Sequence, residues 1–394
     1  MSSTKFLLVS LPTSIASNDA DEAFSVLRST VAGENVAVVP FKVPDFKVAT
    51  LDTLVRQADE LAKLESNCGA VVTKIGESLR SLLGGDEDKI LQQKTVNNKP
   101  ADQYLKSFSW NKHKYRTDKP LIEIIDSLRK EILSIDSDVK SKVSQYNQVK
   151  TTLSTLIRKQ TGNLSTKSLT SVVDPSVLIK DSENLENHLI AVPNNDKKGF
   201  LQSYETLSPM VVPRSATEIA QDKEFTLFTV VTFKKHSAEF QSKCREMKWI
   251  PREYTYVAGG TEEEEKELEQ ARKNERKILE DTLRGSRIGW GDSVMIWIHV
   301  LMLRVFVESI LRYGLPPDFV CGLIKTNPKS AKKAKTALDS AFSYLGGNAF
   351  LRDKKGKVTK DDSALSSEIA AAGVSNLGEG DEYTAYVYYN FEIV

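Results

Sequence analysis

Residues 121–156 have the sequence LIEIIDSLRKEILSIDSDVKSKVSQYNQVKTTLSTL, and the spacing of their apolar residues determines the predicted fold. Apolar side chains recur in steps of three and four, and ten steps span 35 residues, a mean of 3.5. Neither Pro nor Gly occurs from residue 121 to residue 161. The stretch therefore predicts a coiled-coil-type helix about 54 Å long, which needs a second helix to cover its apolar stripe.

The predicted partner helix begins after Gly259 and Gly260. Thr261 is its predicted N-cap, and Glu264 would complete a capping box. Residues 262–281 carry nine acidic and five basic side chains beside a thinner apolar stripe. Because about 100 residues separate the two helices, the helices can pair antiparallel with a globular unit at one end.

Strand and helix patterns fill the remaining parts of the chain. Between the long helices, strands are predicted at 188–192 and 225–233, and helices at 197–207 and 235–249. Outside them, strands are predicted at 6–11, 36–41 and 383–393, and helices at 51–83, 101–108, 294–313 and 330–345. The prediction is a helix-rich α+β dumbbell: a foot from 1–120 and 286–394, neck helices at 121–160 and 261–285, and a head at 161–260.

Composition excludes several classes of protein. The 54 Lys and Arg residues against 53 Asp and Glu residues leave a net charge of +1, so the whole molecule has no strong field for polyanions such as nucleic acid. Cys68, Cys244 and Cys321 are isolated from one another, which favours a reducing compartment and the cytosol. The apolar run 294–303 is half the roughly 20 residues that a membrane span needs, so it predicts a buried core helix.

The motifs of enzymes and of cofactor sites are missing from the sequence. It contains neither GxxxxGK[ST] nor a GxGxxG that opens a helix after a strand. The four histidines lack the spacing of metal ligands; His299 is predicted to be a hydrogen-bonded core residue, and His113, His188 and His236 surface residues. Consecutive glutamates at 262–265 point in different directions from a helix. We therefore predict no catalytic, cofactor-binding or metal site.

One charged segment stands out. Residues 325–360 carry ten Lys and Arg residues, and a solvated helix and loop would account for them as readily as an acidic protein partner would. No aromatic pattern of a nucleic-acid-binding motif accompanies them. The candidate partner-binding residues are Lys332, Lys333, Lys335, Arg352, Lys354, Lys355 and Lys357.

Several stretches resemble the C subunit of vacuolar-type proton ATPases (V-ATPases). The most specific is LRVFVESILRYGLP at 303–316, and FKVATLDTL at 46–54, YETL at 204–207, MVVPRS at 210–215 and YVYY at 386–389 add to it. The segment LGGNAF at 345–350 with DKKGK at 353–357 resembles fungal members in particular. The polar stretch 363–380 departs from the family pattern.

The resemblance implies a non-catalytic stator protein that is peripheral on the cytosolic face of vacuolar and other acidic membranes. Family members bridge peripheral stalks built from the E and G subunits and the cytosolic part of the membrane-embedded a subunit. They also touch other parts of the soluble sector, and several bind actin. They are needed for assembly and for coupling of ATP hydrolysis to proton transport, and they leave during regulated disassembly. No cofactor, nucleic acid or membrane insertion is implied.

Two other interpretations are compatible with parts of the sequence. A cytosolic coiled-coil adaptor or actin-linking protein unrelated to the pump would account for the neck. An enzyme with unfamiliar chemistry in the head would require clustered titratable groups in a pocket.

Overall fold

The computed structural model describes residues 4–32, 36–179, 182–254, 260–352, 358–360 and 384–393. Contacts divide the chain into two compact units, which we call unit 1 (residues 1–143 and 282–394) and unit 2 (residues 144–281). Both divisions of the chain fall inside long helices, so each unit contains parts of the same two helices.

The helices follow the apolar periodicity of the sequence. Their bounds are α1 Ala20–Thr30, α2 Leu51–Leu82, α3 Glu87–Gln93, α4 Ala101–Lys106, α5 Leu121–Thr161, α6 Lys197–Ser203, α7 Ser237–Glu246, α8 Gly260–Tyr313 and α9 Pro328–Phe342. The predicted helices at 51–83, 101–108 and 330–345 are present within a few residues of these bounds. The helix α1 has no counterpart in the sequence-based prediction.

The strands form separate antiparallel sheets. Their bounds are β1 Lys5–Pro12, β2 Ala37–Pro40, β3 Thr95–Val96, β4 Lys99–Pro100, β5 Leu185–Pro193, β6 Thr217–Gln221, β7 Phe225–Phe233, β8 Ile250–Arg252, β9 Phe319–Thr326, β10 Phe350–Arg352, β11 Val358–Lys360 and β12 Val387–Phe391. Unit 1 contains a sheet with the order β12-β1-β9-β2, and unit 2 contains one with the order β6-β7-β5-β8. The mixture of helices and sheets agrees with the predicted α+β class.

Strands from both ends of the chain meet in the unit 1 sheet. Leu8 of β1 is paired with Tyr389 of β12 on one side and with Leu323 of β9 on the other. All apolar side chains of β1 are buried, which accounts for the apolar residues at 6–9 and at 11 in the sequence. The N-terminal and C-terminal segments therefore share one core.

The apolar run in the second half of α8 lies inside unit 1. Helix α8 is long and apolar enough to cross a membrane, but 83% of its most apolar window is buried inside the protein. Val294, Val300, Leu303 and Phe306 are fully or almost fully buried against α2, α5 and the sheet. The prediction of a buried core helix at this position is confirmed.

Helix α8 is longer than the two separate helices predicted at 261–285 and 294–313. It continues through Gly285, Gly289 and Gly291, residues that weaken an isolated helix. A Cβ atom at Gly289 would lie 2.7 Å from a methyl group of Val139, so the glycine allows α5 and α8 to approach closely. Packing thus outweighs local propensity, and the predicted break is wrong.

The predicted cap at the start of α8 is also wrong. The helix begins at Gly260, so Thr261 lies within its first turn. Glu264 accepts hydrogen bonds from the hydroxyl groups of Ser168 at 2.7 Å and Thr170 at 3.1 Å. Its carboxylate therefore fastens the helix to the loop after α5 within unit 2.

Helices α5 and α8 contact one another within each unit. In unit 1, Val139 lies opposite Gly289, and the Thr282 hydroxyl lies 3.5 Å from the Lys142 carbonyl oxygen, so the two helices run antiparallel there. In unit 2, the Tyr146 hydroxyl donates to Glu275 at 3.1 Å. The coiled-coil neck and the separated lobes themselves stay predictions.

Candidate partner-binding surface

Helix α9 positions the lysines that the sequence singled out. The Asn327 side chain accepts a hydrogen bond from the Ser330 backbone N–H at 2.8 Å, and Pro328 occupies the first helical position, where its missing N–H costs nothing. One face of α9 packs on the unit 1 sheet through four buried residues, Ala331, Ala334, Leu338 and Phe342. The small alanines keep the helix close to the sheet and leave its lysines on the other side.

The predicted lysines of α9 differ in their surroundings. Lys332 and Lys333 are exposed. Lys335 is half-buried, and its ammonium group lies 6.0 Å from the centroid of the Tyr388 ring. We therefore place only Lys332 and Lys333 among the predicted α9 residues that a partner can reach freely.

The other predicted residues are described less fully. Arg352 belongs to strand β10, which pairs with β11, and only its backbone is described. Lys354, Lys355 and Lys357 lie outside the described residues, as does the polar stretch 363–380. The structure thus neither joins these residues to Lys332 and Lys333 nor separates them.

Two charged side chains, one just before α9 and one on it, have partners within the protein. Lys325 donates to the Asp102 carboxylate at 2.7 Å, which joins β9 to α4 and lowers the pKa of Asp102, chiefly through this hydrogen bond. Asp339 accepts a hydrogen bond from the buried Tyr386 hydroxyl at 2.8 Å. Asp339 therefore fastens α9 to the segment before β12, and within the described residues it forms no ion pair with Lys332 or Lys333.

The LRVFVESILRYGLP block lies in the core of unit 1. Arg304 forms ion pairs with Glu65 of α2 and with Glu308 one turn further along α8, and its guanidinium lies 4.5 Å from the centroid of the Tyr389 ring. Arg312 donates to the carbonyl oxygens of Thr384 and Tyr386 just before β12, at 2.5 and 3.0 Å. This block therefore fastens α8 to α2 and to the last strand.

This charged network was not predicted from the sequence. Its signal is the spacing of Arg304, Glu308 and Arg312, which places three charged side chains on one face of an otherwise apolar helix. Burying such charges is favourable only when they are paired, and here each has a partner. The spacing thus indicates a structural ion network rather than a partner-binding surface.

The histidines are distributed between core and surface. His299 is 1% exposed, as predicted. His188, predicted to lie on the surface, is 4% exposed; it lies 2.8 Å from the Thr232 hydroxyl, and burial lowers its pKa. The prediction for His188 is wrong because strand β5 is covered on the face where this side chain points. His113 is exposed and His236 is half-buried.

Groups suited to metal or redox chemistry are scattered. Within the ranges that the structure describes, no three His, Cys, Asp or Glu side chains are placed to hold a metal ion. Cys68, Cys244 and Cys321 are free thiols, all buried, and burial raises the pKa of each. Such thiols are poor nucleophiles and behave as apolar core residues.

The structure is that of an α+β protein with two compact units. Two long helices contribute to both units, and α9 carries exposed lysines. A model of the V-ATPase C-subunit family matches residues 6–387. The C subunit of the V-type proton ATPase of Saccharomyces cerevisiae is 40% identical over 364 residues, which is 91% of this chain and 92% of the yeast protein.

Animal proteins are similar over an even larger share of the chain. The C1 subunit of the V-type proton ATPase of Xenopus laevis is 32% identical over 390 residues, and that of Macaca fascicularis is 33% identical over 391 residues. Each alignment covers 99% of this chain and 98% of the animal protein. The chain belongs to the V-ATPase C-subunit family.

Proposed function

We propose that this chain is a non-catalytic stator subunit of a vacuolar-type proton pump. In this proposal it bridges peripheral stalks of the E and G subunits and the cytosolic part of the membrane-embedded a subunit, and it is required for assembly and for coupling of ATP hydrolysis to proton transport. It is cytoplasmic when released by regulated disassembly and peripheral on the vacuolar membrane when assembled. Binding to actin is a further partner contact within the same proposal.

The observation that carries the proposal is the pair of long helices α5 and α8, each of which contributes to both compact units. A rotary motor works only if its catalytic ring does not turn with the rotor, so a stator link must resist bending. Paired helices resist bending better than a flexible linker does. We propose that they form the neck at 121–160 and 261–285 between a head at 161–260 and a foot from 1–120 and 286–394.

Binding at two ends also explains how such a link can be both firm and releasable. Two moderate contacts on one stiff body give a strong combined attachment, and loss of one contact weakens the whole. We assign part of the contact of the foot to the basic residues on and after α9, among which Lys332 and Lys333 are the exposed members of the predicted set on this helix. Their exposed ammonium groups suit an acidic helix of a stalk protein, and salt would weaken the contact.

Reconstitution tests the proposal directly. The purified chain is added to a pump preparation that lacks this subunit, and ATP-driven proton uptake into vesicles is measured with a pH-sensitive dye. We expect the chain to restore uptake. Hydrolysis of ATP without any restored proton uptake, at saturating protein, would contradict the coupling role.

Charge-reversed variants test the assignment of α9. Lys332→Glu together with Lys333→Glu should require about tenfold more protein for the same uptake at moderate salt, since close charge pairs at interfaces can be worth more than about 1 kcal/mol. The matched control reverses Lys130 and Lys140, which are exposed on α5 of the same unit. An equal effect of both pairs would show that general charge, and not α9, determines binding.

A further inference from the structure

Unit 1 contains a basic cleft of about 520 Å³ away from the residues assigned above. It lies beside the β3–β4 hairpin and α4, and Lys99, Lys112 and His113 stand exposed around it. Among the side chains that line it, all within the described residues, none is a carboxylate. The cleft was not predicted from the sequence because its basic residues are spread over 15 positions and come together only in the fold.

Two carboxylates of this region, Asp102 and Glu131, have partners outside the cleft. Asp102 accepts from Lys325, and Glu131 accepts from both the Tyr115 hydroxyl and Lys114, each at 2.7 Å. Neither Lys99 nor Lys112 forms an ion pair with any residue that the structure describes. The cleft therefore keeps its positive charge.

A chain of hydrogen bonds to buried residues holds the segment that carries Lys112 and His113 in place. The Trp110 indole N–H donates to the Tyr115 carbonyl oxygen at 2.6 Å, and the Tyr115 N–H donates to the Asn111 carbonyl oxygen at 2.8 Å. The Asn111 N–H donates in turn to Nε2 of the buried His299 at 3.3 Å. A ligand would thus meet the Lys112 ammonium group on an ordered loop, which lowers the entropy cost of binding.

The chemistry of the cleft selects among anions. Lys99 and Lys112 belong to different segments, so they can contact separate phosphate groups, and the side chains of Asn97, Ser107 and Ser109 can hydrogen-bond to hydroxyl groups or phosphate oxygens. Trp110 and Tyr104 line the cleft but are only 6% and 9% exposed, so neither offers a ring face on which a nucleotide base could stack.

We infer that this cleft binds an inositol polyphosphate, a ring polyol that carries several phosphate groups. The same chemistry occurs in soluble inositol phosphates and in the headgroups of phosphorylated inositol lipids. The inference does not depend on the stator role, because it uses only the lining and the charge of the cleft.

Calorimetric titration of the full chain with inositol hexakisphosphate tests the site. Lys99→Glu together with Lys112→Glu should weaken binding by at least about tenfold, since two charge-assisted contacts become repulsive. The matched control, Lys332→Glu with Lys333→Glu on α9, has the same change of charge in the same unit and should remain within about threefold of the parent protein. Thermal unfolding should be the same for both variants, because all four lysines are exposed.

Three further ligands make the result decisive. Inorganic phosphate and ATP should each bind at least about tenfold more weakly than inositol hexakisphosphate, because one offers a single phosphate and the other brings a base without a stacking surface. Vesicles with and without phosphatidylinositol bisphosphate distinguish a lipid headgroup from a soluble ligand. No binding of either inositol ligand, equally tight binding of ATP, or an equal loss in the α9 control would overturn the inference.

Discussion

Among individual residues, His299 couples the stability of unit 1 to pH. Its Nδ1–H donates to the Met295 carbonyl oxygen at 2.7 Å, and its Nε2 accepts from the Asn111 N–H, so the neutral ring satisfies both contacts. Burial lowers its pKa from 6.5 to about 4; the hydrogen bond to Met295 and the charge of Glu131 act in the opposite direction, and Lys114 acts in the same direction as burial. A proton added to Nε2 would point at the Asn111 N–H, which now donates to that nitrogen.

The sign of the pH effect follows from this shift. Above pH 6.5 the histidine is neutral in both the folded and the unfolded chain, and its contribution to stability is complete. As the pH falls from 6.5 towards 4, only the unfolded chain gains the proton, so the free energy of unfolding decreases. Between about pH 7 and pH 5 we expect a loss of about 2 kcal/mol in unit 1.

Hydrogen exchange measured by mass spectrometry checks this prediction in peptides that cover residues 107–115 and 295–303, after correction for the intrinsic effect of pH. His299→Gln should remove most of the pH dependence from these peptides. His188→Gln, which changes the other buried histidine and lies in unit 2, should leave it intact. A pH dependence that survives in the His299 variant would assign the effect to another group.

Within the helices, replacing each of two glycines by alanine should change the free energy of unfolding in opposite directions. Gly289 lies in α8, where an added Cβ would come within 2.7 Å of Val139 and 3.3 Å of Ile135. Gly69 lies in α2, where the nearest atom to an added Cβ is 3.6 Å away, on Trp297. Gly69→Ala should therefore raise the free energy of unfolding by about 0.5–1 kcal/mol, because alanine is the better helix former.

Gly289→Ala should have the opposite sign. The same gain in helix propensity is outweighed by overpacking, which costs about 1–3 kcal/mol, so a net loss of about 1 kcal/mol is expected. Chemical denaturation of the two variants under one set of conditions gives the comparison. If both substitutions stabilise the protein, the close approach of α5 and α8 at this point is incorrect.

The elements that the sequence predicted best have strong periodic patterns. Helix α5 begins at Leu121 as its spacing indicated, and strand β7 has the predicted bounds, Phe225–Phe233. Strand β9 was missed although it lies between β1 and β2. It has 8 residues and contains Gly322, a poor strand former, which is required because a Cβ there would come within 2.7 Å of Leu27.

The predictions that failed concern features that are determined by contacts between distant parts of the chain. The break expected in α8 and the cap expected at Thr261 were both inferred from local propensity, whereas Val139 and the hydroxyl groups that bind Glu264 come from distant parts of the chain. The same holds for the basic cleft, in which Lys99 and Lys112 have no recognisable pattern in the sequence. Periodicity thus indicates which face of an element is buried, but not which residues meet across the core.

Over the molecule as a whole, acidic and basic residues are concentrated in separate segments, although the net charge is near zero. The net charge is +1, yet residues 262–281 are predominantly acidic and residues 325–360 predominantly basic. A near-neutral protein has no long-range attraction for one class of partner, so binding must depend on such segments at short range. This distribution suits the proposed role, in which different parts of one chain meet different subunits.

The proposed dumbbell makes a prediction about size in solution. A compact protein of this length has a radius of gyration of about 21 Å. If α5, with 41 residues, holds two lobes apart, its rise of about 1.5 Å per residue requires a clearly larger value and a distance distribution with two maxima. Small-angle scattering of the monomer at several concentrations measures both quantities. A radius of gyration near that of a compact sphere would remove the neck from the proposal, since a link that does not separate two binding ends cannot brace one part of a motor against another.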